Sequence, residues 1–424
     1  MSVFSIKNSL TCMTDFEKTN ILLSEEQIIL ISKIASSRLS STQIQFQILK
    51  KDSPIGHKIH AFRSKEGDIH VFVKDNDETN RQDSLGTNKS FCSSTYICIR
   101  KNKPLSIIRK GRLKAKVPSP FDSEYYSLNV QSLLREVKLT QTLNHPNIVS
   151  YSDFLIFESS DEIKKVYAYA PIFENDIFLL AKNDFPKMSE ELKREFILSL
   201  SKQILQALVY LHNKGIIHND IKHKNIYYSN IEGKYHFALG DFGLANKEIN
   251  GDFKGSLEFL SPEKAISKGF IKKDYVDTGF ATDLWDLGII IYLLKEGKFN
   301  LFSKLMRKQF ELNNLIKLKT YFYVENASEI LEKLRKEEGD CFVQLLDSWI
   351  SCLTTDTKKC DEMEKWIMRT IKIIKQKASI ELDRMGTELI ENDLINCILG
   401  HLLQPDPSKR ATAKEALTIL EKEI

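Results

Sequence analysis

The segment IIHNDIKHKNIYY, residues Ile216–Tyr228, places a run of mostly polar residues between two short apolar runs. Its centre reads His-Asn-Asp and then Lys-His-Lys-Asn, which suits neither a buried strand nor an amphipathic helix. The flanking isoleucines and tyrosines favour strands on both sides. The pattern therefore predicts a polar loop between strands, and an active-site loop is the first hypothesis.

Composition and charge indicate a globular protein with more than one lobe. The chain has 424 residues, of which 42% are hydrophobic and 28% charged, and it is long for a single hydrophobic core. The net charge of +4 is small for this length. It gives no reason to favour nucleic acid or a membrane surface as a partner.

Cysteine usage and the apolar runs predict a cytoplasmic protein. The seven cysteines are scattered without a CxxC pair, so neither a disulfide framework nor a zinc site is indicated. No apolar run approaches the roughly 20 residues that a membrane span needs. The first residues, MSVFSIKNSL, lack the pattern of a secretory signal.

The predicted secondary structure changes character along the chain. Lys58–Asp75 alternates apolar and polar residues around a glycine, a pattern typical of a β-hairpin. From Leu85 onward further short strands are predicted, with one helix over SLLREVKLTQTL. After Ser189 the pattern predicts mainly helices, the last of which begins with a capping box between Thr412 and Glu415. This order predicts an α+β fold of two unlike lobes with a cleft between them.

Four side chains at and after the quoted loop could carry chemistry. Asn225 and Asp241 offer oxygen ligands of the kind that Mg²⁺ prefers, with water and phosphate filling its other positions. Asp220 would be left to accept a hydroxyl proton, and Lys222 could place a positive charge against a transferring phosphate. Each residue alone could be a solvated loop residue, so the prediction rests on their order and spacing.

Five motifs resemble those of the protein kinase family and stand in the family's order. HNDIKHKN resembles the catalytic loop, and DFG at Asp241–Gly243 resembles the metal-binding motif. GSLEFLSPE at Gly255–Glu263 is similar to the segment that ends in Ala-Pro-Glu. DLWDLG at Asp283–Gly288 is similar to the start of the helix that anchors the catalytic loop, and PDPSKR resembles the late Asp-Pro-x-x-Arg motif. The resemblance runs from about residue 83 to residue 424.

The resemblance implies a serine/threonine protein kinase that uses ATP and Mg²⁺ and transfers the γ-phosphoryl group to a protein hydroxyl. It makes Asp220 the catalytic base and Asn225 and Asp241 the magnesium ligands. Glu136, in a segment that resembles the regulatory helix, would be the partner of a lysine on a strand. Lys222 favours serine/threonine specificity, because tyrosine kinases usually carry Ala or Arg there with a different spacing.

The resemblance also implies a plan of the domains. An extension with the β-hairpin would occupy residues 1–82, a β-rich small lobe residues 83–182 and a helical large lobe residues 183–424. In the large lobe Glu263 and Arg410 would form a buried ion pair. The layout is loosely similar to that of effector kinases secreted by intracellular bacteria, which would place the protein in a host cytosol.

The nucleotide-binding part departs from the family pattern. Only Gly86 stands where the family has three glycines, whose missing side chains let the backbone approach phosphates closely. The strand cation is Lys110 when the count starts from Thr95, and Arg109 when it starts from Ser94; Lys110 is favoured. Arginine is bulkier and forked, so the two are not equivalent.

The activation segment also departs from the pattern. Asn219 replaces the arginine that in the family usually pairs with a phosphate on this segment. LANKEINGDFK, between Gly243 and Gly255, contains no Ser, Thr or Tyr. Both absences predict a kinase that is not switched on by phosphorylation of this segment, for which Ser256 is the nearest acceptor.

A helical insert is predicted over about residues 296–396, because Asp283 and Arg410 lie 127 residues apart, roughly twice the family's usual distance. Three stretches of the insert have an amphipathic period. They would pack on one another, or they would form a docking surface for a substrate or regulator centred on Trp366. Positive charge around Trp366 would come from Lys365, Arg369, Lys372, Lys375 and Lys377.

Two other functions fit parts of the pattern. The sparse glycines and the ambiguous strand cation would suit a pseudokinase that acts as a binding scaffold. An enzyme of the same fold that phosphorylates a small molecule would typically lack counterparts of Lys222, the Ser-Pro-Glu segment and the Asp-Pro-x-x-Arg motif, which this chain has. A scaffold has little need for the complete set of catalytic-loop and metal-binding residues, so an active protein kinase is the leading hypothesis.

Overall fold

The structure, a computed structural model, describes most of the chain in separate segments. Five strands before residue 113 are described, followed by residues 129–159, 162–171, 173–246, 256–267, 279–321, 357–388 and 393–422. Two compact units are formed. The first takes in the described residues up to Met188 and His223–Gly243, and the second takes in Ser189–Lys222 and those from Leu244 onward.

The first unit contains a seven-stranded antiparallel sheet in the order β1-β2-β3-β4-β5-β7-β6. Its strands are β1 (Gln47–Leu49), β2 (Lys58–Arg63), β3 (Ile69–Lys74), β4 (Ser93–Arg100), β5 (Ser106–Arg112), β6 (Asp153–Ser159) and β7 (Glu162–Ala170). Lys58 pairs with Lys74 and Arg63 with Ile69, which confirms the predicted β-hairpin. β4 and β5 lie in the stretch where short strands are predicted.

Helix α1 (Asn129–Gln141) packs on this sheet, as the period of SLLREVKLTQTL predicts. Leu133 and Val137 of α1 are buried in one cluster with Val166 of β7. Burial of such side chains is worth about 1.5–3 kcal/mol each. This packing fixes the rotation of the helix and buries Glu136 beside Val137.

A second, three-stranded antiparallel sheet in the same unit leads to the DFG motif. It consists of β8 (Asn175–Asp176), which runs into α2 (Ile177–Asn183), and of β9 (Ile226–Ile231) and β10 (Lys234–Leu239). Glu232 and Gly233 turn the chain between β9 and β10 with positive φ angles of 52° and 83°. At the other end of β10, Leu239 exchanges backbone hydrogen bonds of 2.9 Å with Asn147 and Val149. The DFG motif therefore begins directly after an anchored strand.

The second unit is helical in its described part. Its helices are α3 (Glu190–Asn213), α4 (Pro262–Ser267), α5 (Phe280–Glu296), α6 (Leu301–Tyr321), α7 (Thr357–Glu388), α8 (Leu394–Leu402) and α9 (Ala413–Lys422). Ser189 caps α3 by accepting the N–H of Leu192 at 3.3 Å. Thr412 and Glu415 form the predicted capping box at α9, with reciprocal side-chain bonds of 2.9 and 3.3 Å.

Helix α7 confirms one of the three amphipathic helices predicted in the insert. Ile367, Ile371, Ile374, Ala378 and Leu382 form its buried face, and α7 packs against α6. The other two predicted helices, at 327–338 and 341–353, lie outside the described residues. Among the described helices, none is long and apolar enough to cross a membrane.

Helix α5 is the buried centre of the second unit. Trp285 is fully buried and contacts the ring of Phe302 edge-on, with centroids 5.8 Å apart. Gly288 lies so close to α8 that a Cβ there would come within 2.7 Å of Leu403 Cδ2. Any larger residue at this position of DLWDLG would therefore force the Leu403 side chain to shift.

The predicted ion pair between Glu263 and Arg410 is present and buried. The guanidinium bonds both carboxylate oxygens of Glu263, at 2.7 and 3.0 Å. It also donates to the carbonyl oxygens of Ala281 (2.6 Å) and Gln404 (3.0 Å), and it lies over the Trp285 ring at 5.1 Å. Through these four hydrogen bonds Arg410 ties the Ser-Pro-Glu segment to α5.

We expect Glu263→Ala to lower the free energy of unfolding by about 3–5 kcal/mol, because the buried guanidinium would lose its counter-charge. Urea denaturation followed by circular dichroism measures this change. Glu190→Ala is the matched control, since it breaks an exposed 2.7 Å pair with Lys193 and should change the stability little. A Glu263→Ala midpoint equal to that of the control would contradict a structural role for the pair.

Candidate active site

In the polar loop after Ile217, Asp220 and Lys222 are in direct contact within the second unit. Lys222 Nζ lies 2.6 Å from Asp220 Oδ2. Ser256 bonds both residues: its hydroxyl donates to Asp220 Oδ1 at 3.2 Å and lies 3.3 Å from Lys222 Nζ. Asp220 is buried and the other two are half-buried. The result is a carboxylate with a fixed orientation and a lysine ammonium beside it, as general base catalysis near a phosphate would need.

Asp283 at the start of α5 holds the backbone of this loop. Its carboxylate accepts the N–H groups of His218 and Asn219, each at 2.9 Å, and the side chain of His212 at 3.0 Å. Burial alone would raise the pKa of Asp283, but its bonds to His212 and His218 outweigh burial and hold the pKa below its ordinary value. Asp283 therefore stays ionised at neutral pH and fixes the residues before Asp220.

The two predicted magnesium ligands, Asn225 and Asp241, flank one end of the β9–β10 hairpin in the first unit. Gly240 N–H donates to the carbonyl oxygen of Asn225 at 2.8 Å, which closes the hairpin at this end and places Asp241 next to the bonded pair. Asp241 has a positive φ of 61°, a conformation that Asp tolerates better than most residues. An amide and a carboxylate oxygen suit Mg²⁺, which takes one or two protein carboxylates and leaves other positions to phosphate and water.

Glu136 connects α1 to the DFG motif. Its Oε1 accepts the hydroxyl of Tyr151 at 2.9 Å and the N–H of Phe242 at 3.2 Å. Glu136 and Phe242 are both buried. A carboxylate at this point of α1 therefore fixes the backbone immediately after Asp241 and carries a negative charge for a cation to pair with.

The two candidates for the strand cation both lie on β5. Lys110 pairs with Ser94 of β4 and Arg109 pairs with Thr95, and this register does not choose between the two ways of counting. The choice between them stays a prediction. Gly86, the remaining glycine of the predicted phosphate loop, lies outside the described residues.

Several contributing residues have no clear signal in the sequence. Ser256 attracts attention only as a phosphate acceptor, whereas the structure bonds its hydroxyl to Asp220. Tyr151, which bonds Glu136, lies on a predicted strand segment and has no motif around it. Asp286 is buried one position after Trp285; burial raises its pKa well above the ordinary value, which the attraction of Lys264 only partly offsets. In the sequence, the only indication that Asp286 is buried is its position among the apolar residues of DLWDLG.

Comparisons with known proteins identify the class. Residues 92–419 match the protein kinase domain family, and the chain belongs to that family. "NUAK family SNF1-like kinase 2" of Rattus norvegicus is 32% identical over 207 residues, which make up 48% of this chain and 29% of that protein. "Serine/threonine-protein kinase cds1" of Schizosaccharomyces pombe is 32% identical over 186 residues, 42% of this chain and 37% of that protein.

A third relative, "Calcium/calmodulin-dependent protein kinase type 1" of Caenorhabditis elegans, is 26% identical over 197 residues, or 43% of this chain and 51% of that protein. The chain thus spans about half or less of the length of these relatives. Membership of the family confirms the predicted resemblance and implies the bilobal kinase fold. The looser similarity to bacterial effector kinases stays a prediction.

Proposed function

We propose that the chain is an active serine/threonine protein kinase, which transfers the γ-phosphoryl group of ATP to a Ser or Thr hydroxyl of a protein substrate. The observation that carries the proposal is the bonded set of Asp220, Lys222 and Ser256, since a scaffold has no need for a buried carboxylate held in one orientation. The membership in the protein kinase domain family and the name of the yeast relative support it.

In this proposal Asp220 orients the substrate hydroxyl and accepts its proton as the bond to phosphorus forms. Lys222, 2.6 Å from Asp220 Oδ2, supplies positive charge to the phosphoryl group as it transfers. The lysine also places its positive charge directly beside the buried carboxylate of Asp220.

Asn225 and Asp241 would hold Mg²⁺, and the bound ion would neutralise charge on the nucleotide phosphates. Glu136 would pair with the strand cation, for which we propose Lys110, and Gly86 would lie at the phosphates. The finer plan is a β-rich small lobe over residues 83–182 and a helical large lobe over residues 183–424. The N-terminal extension of residues 1–82 and the helical insert at about 296–396 would be additions to it.

We expect the full chain to incorporate phosphate from γ-labelled ATP with Mg²⁺ into itself or a generic basic protein, on serine or threonine. Asp220→Ala and Asp241→Ala should each lower the rate by at least about a hundredfold, because one removes the base and the other a metal ligand. Lys110→Met should lower the rate in the same way, while Arg109→Met should leave it nearly unchanged.

Phosphoamino-acid analysis and initial rates check these expectations, and Asn213→Ala, on an exposed residue at the end of α3, is the control. Transfer that survives both aspartate substitutions would contradict the assignment of the site. Absence of transfer together with Mg²⁺-dependent binding of ATP would favour the alternative, a pseudokinase that acts as a binding scaffold.

We further propose that activity does not depend on phosphorylation of the activation segment. Asn219 carries no positive charge to receive a phosphate, and Gly243–Gly255 contains no hydroxyl group that could be phosphorylated. Ser256, the nearest hydroxyl, already donates to Asp220. A phosphate on Ser256 would add negative charge beside the proposed base, which favours inhibition over activation.

Ser256→Asp is therefore expected to abolish transfer, whereas Ser256→Thr should keep it because the hydroxyl remains. Ser256→Ala should lower the rate by no more than about tenfold, the effect of one lost hydrogen bond. Treatment with a phosphatase should leave the wild-type rate unchanged. Loss of activity in Ser256→Ala that Ser256→Asp restores would overturn phosphorylation independence.

For α7 we propose a docking role, with an acidic amphipathic helix of a protein partner as the occupant. Trp366, Ile373 and Ile380 recur every seven residues, so they share one side of the helix, and 49%, 52% and 61% of their surface is exposed. The flanking cations Lys365, Arg369, Lys372 and Lys377 are exposed. Apolar anchors beside positive charge fit a helix whose polar side carries glutamates.

A synthetic amphipathic helix with leucines on one side and glutamates on the other should bind the full chain, with weaker binding at higher salt. Trp366→Ala should weaken this binding by about tenfold, while Leu192→Ala, which removes an exposed leucine of α3, should not change it. Fluorescence anisotropy gives both affinities. Equal binding of a peptide with lysines in place of the glutamates would refute the proposed partner chemistry.

A further inference from the structure

Asn219 belongs to the catalytic loop, and it also contacts residues outside that loop. It lies between His218 and Asp220 with a positive φ of 67°, and its own N–H is fixed by Asp283 Oδ1 at 2.9 Å. Its side chain and its carbonyl group point to two other segments. Both segments belong to the second unit, and they are the described parts on either side of residues 247–255.

The side chain of Asn219 reaches the segment that follows the DFG motif. Its Nδ2 lies 3.4 Å from the carbonyl oxygen of Leu244 and 3.2 Å from Asn246 Oδ1. An amide nitrogen carries two hydrogens, so one side chain can serve both acceptors. Next to these contacts Ile217 and Asn246 exchange backbone hydrogen bonds of 2.9 and 3.0 Å.

The carbonyl group of Asn219 faces the segment that follows Ser-Pro-Glu. Lys264 Nζ, on α4, lies 3.4 Å from the carbonyl oxygen of Asn219. Lys264 is a buried lysine, and its positive charge lowers the pKa of the nearby Asp286 on α5 against the larger effect of burial. The ammonium group is therefore held in the interior, where a hydrogen bond to a carbonyl oxygen is stronger than at the surface.

We propose that Asn219 is a positioning residue that joins the catalytic loop to both ends of the activation segment without a phosphate. Its amide binds the beginning of the segment, its carbonyl group binds Lys264 after the end, and its backbone is fixed on Asp283. The inference rests on the proposed kinase activity, and it gives a physical mechanism for phosphorylation independence. A neutral side chain takes the place of a charged pair because its two acceptors are themselves uncharged.

The residue type fits this task. Asparagine tolerates a left-handed backbone better than most residues. Its side-chain amide also supplies the N–H donors that the neutral oxygens of Leu244 and Asn246 can accept. An aspartate of the same shape would set a carboxylate against the oxygens of Leu244 and Asn246, and a glycine would keep the backbone but lose both bonds. Comparison of these two substitutions therefore distinguishes the effect of the amide hydrogen bonds from the effect of the backbone conformation.

The test compares Asn219→Gly and Asn219→Asp with the wild type in the full chain, after phosphatase treatment. We expect kcat to fall by about tenfold in both variants, with KM for ATP unchanged. In parallel, hydrogen exchange at the amides of Ile217 and Asn246 should become about tenfold faster. Asn213→Gly and Asn213→Asp are matched controls on an exposed asparagine and should change neither quantity.

The outcomes separate the two proposals, because the exchange rates do not depend on activity. If the wild type shows no transfer but both Asn219 variants exchange faster than the wild type, the joining contacts are supported and the proposed function is refuted. Unchanged exchange in both variants would overturn the joining role, whatever happens to kcat. Faster exchange with an unchanged kcat in an active enzyme would also overturn it as a positioning role, since the contacts would then be structural only.

Discussion

The catalytic loop depends on one buried carboxylate. Asp283 is fully buried, and two backbone N–H groups and one imidazole bond it at 2.9–3.0 Å. A buried charge without such partners would cost several kcal/mol, so Asp283 and the loop stabilise each other. The backbone of Asn219, and with it the starting position of Asp220, follows from this interaction. This polar loop keeps one conformation because Asp283 of α5 accepts hydrogen bonds from its backbone N–H groups.

Order and spacing in the sequence were enough to predict much of the scaffold. The β2–β3 hairpin follows from the alternation of apolar and polar residues around a glycine, and the capping box of α9 follows from Thr412 and Glu415 alone. The pair of Glu263 and Arg410, 147 residues apart, could be predicted only through the resemblance to a family. Local propensity carries no information about a contact between residues so far apart, because their approach is decided by packing of the whole unit.

Side-chain partners within the site were harder to predict. Ser256 is one hydroxyl among many, and only the fold shows that it bonds Asp220. The replacement of arginine at Asn219 is visible in the sequence as a missing charge, yet the sequence does not show what the amide binds instead. When a neutral residue replaces a charged one, the charged partner is lost and the new side chain binds different groups. The new partners, Leu244 and Asn246, present neutral backbone and amide oxygens that no motif marks.

The distance along the chain between Glu263 and Arg410 has a consequence for biosynthesis. At about 5–20 residues per second, the 147 residues that separate them take roughly 7–30 s to be synthesised. Until Arg410 has been synthesised, the carboxylate of Glu263 lacks its guanidinium and the Trp285 ring lacks the cation that lies over it. The second unit cannot complete its core until Arg410 has left the ribosome. Chaperones bind nascent chains whose apolar surface is not yet covered, so we expect α5 to need such protection until Arg410 arrives.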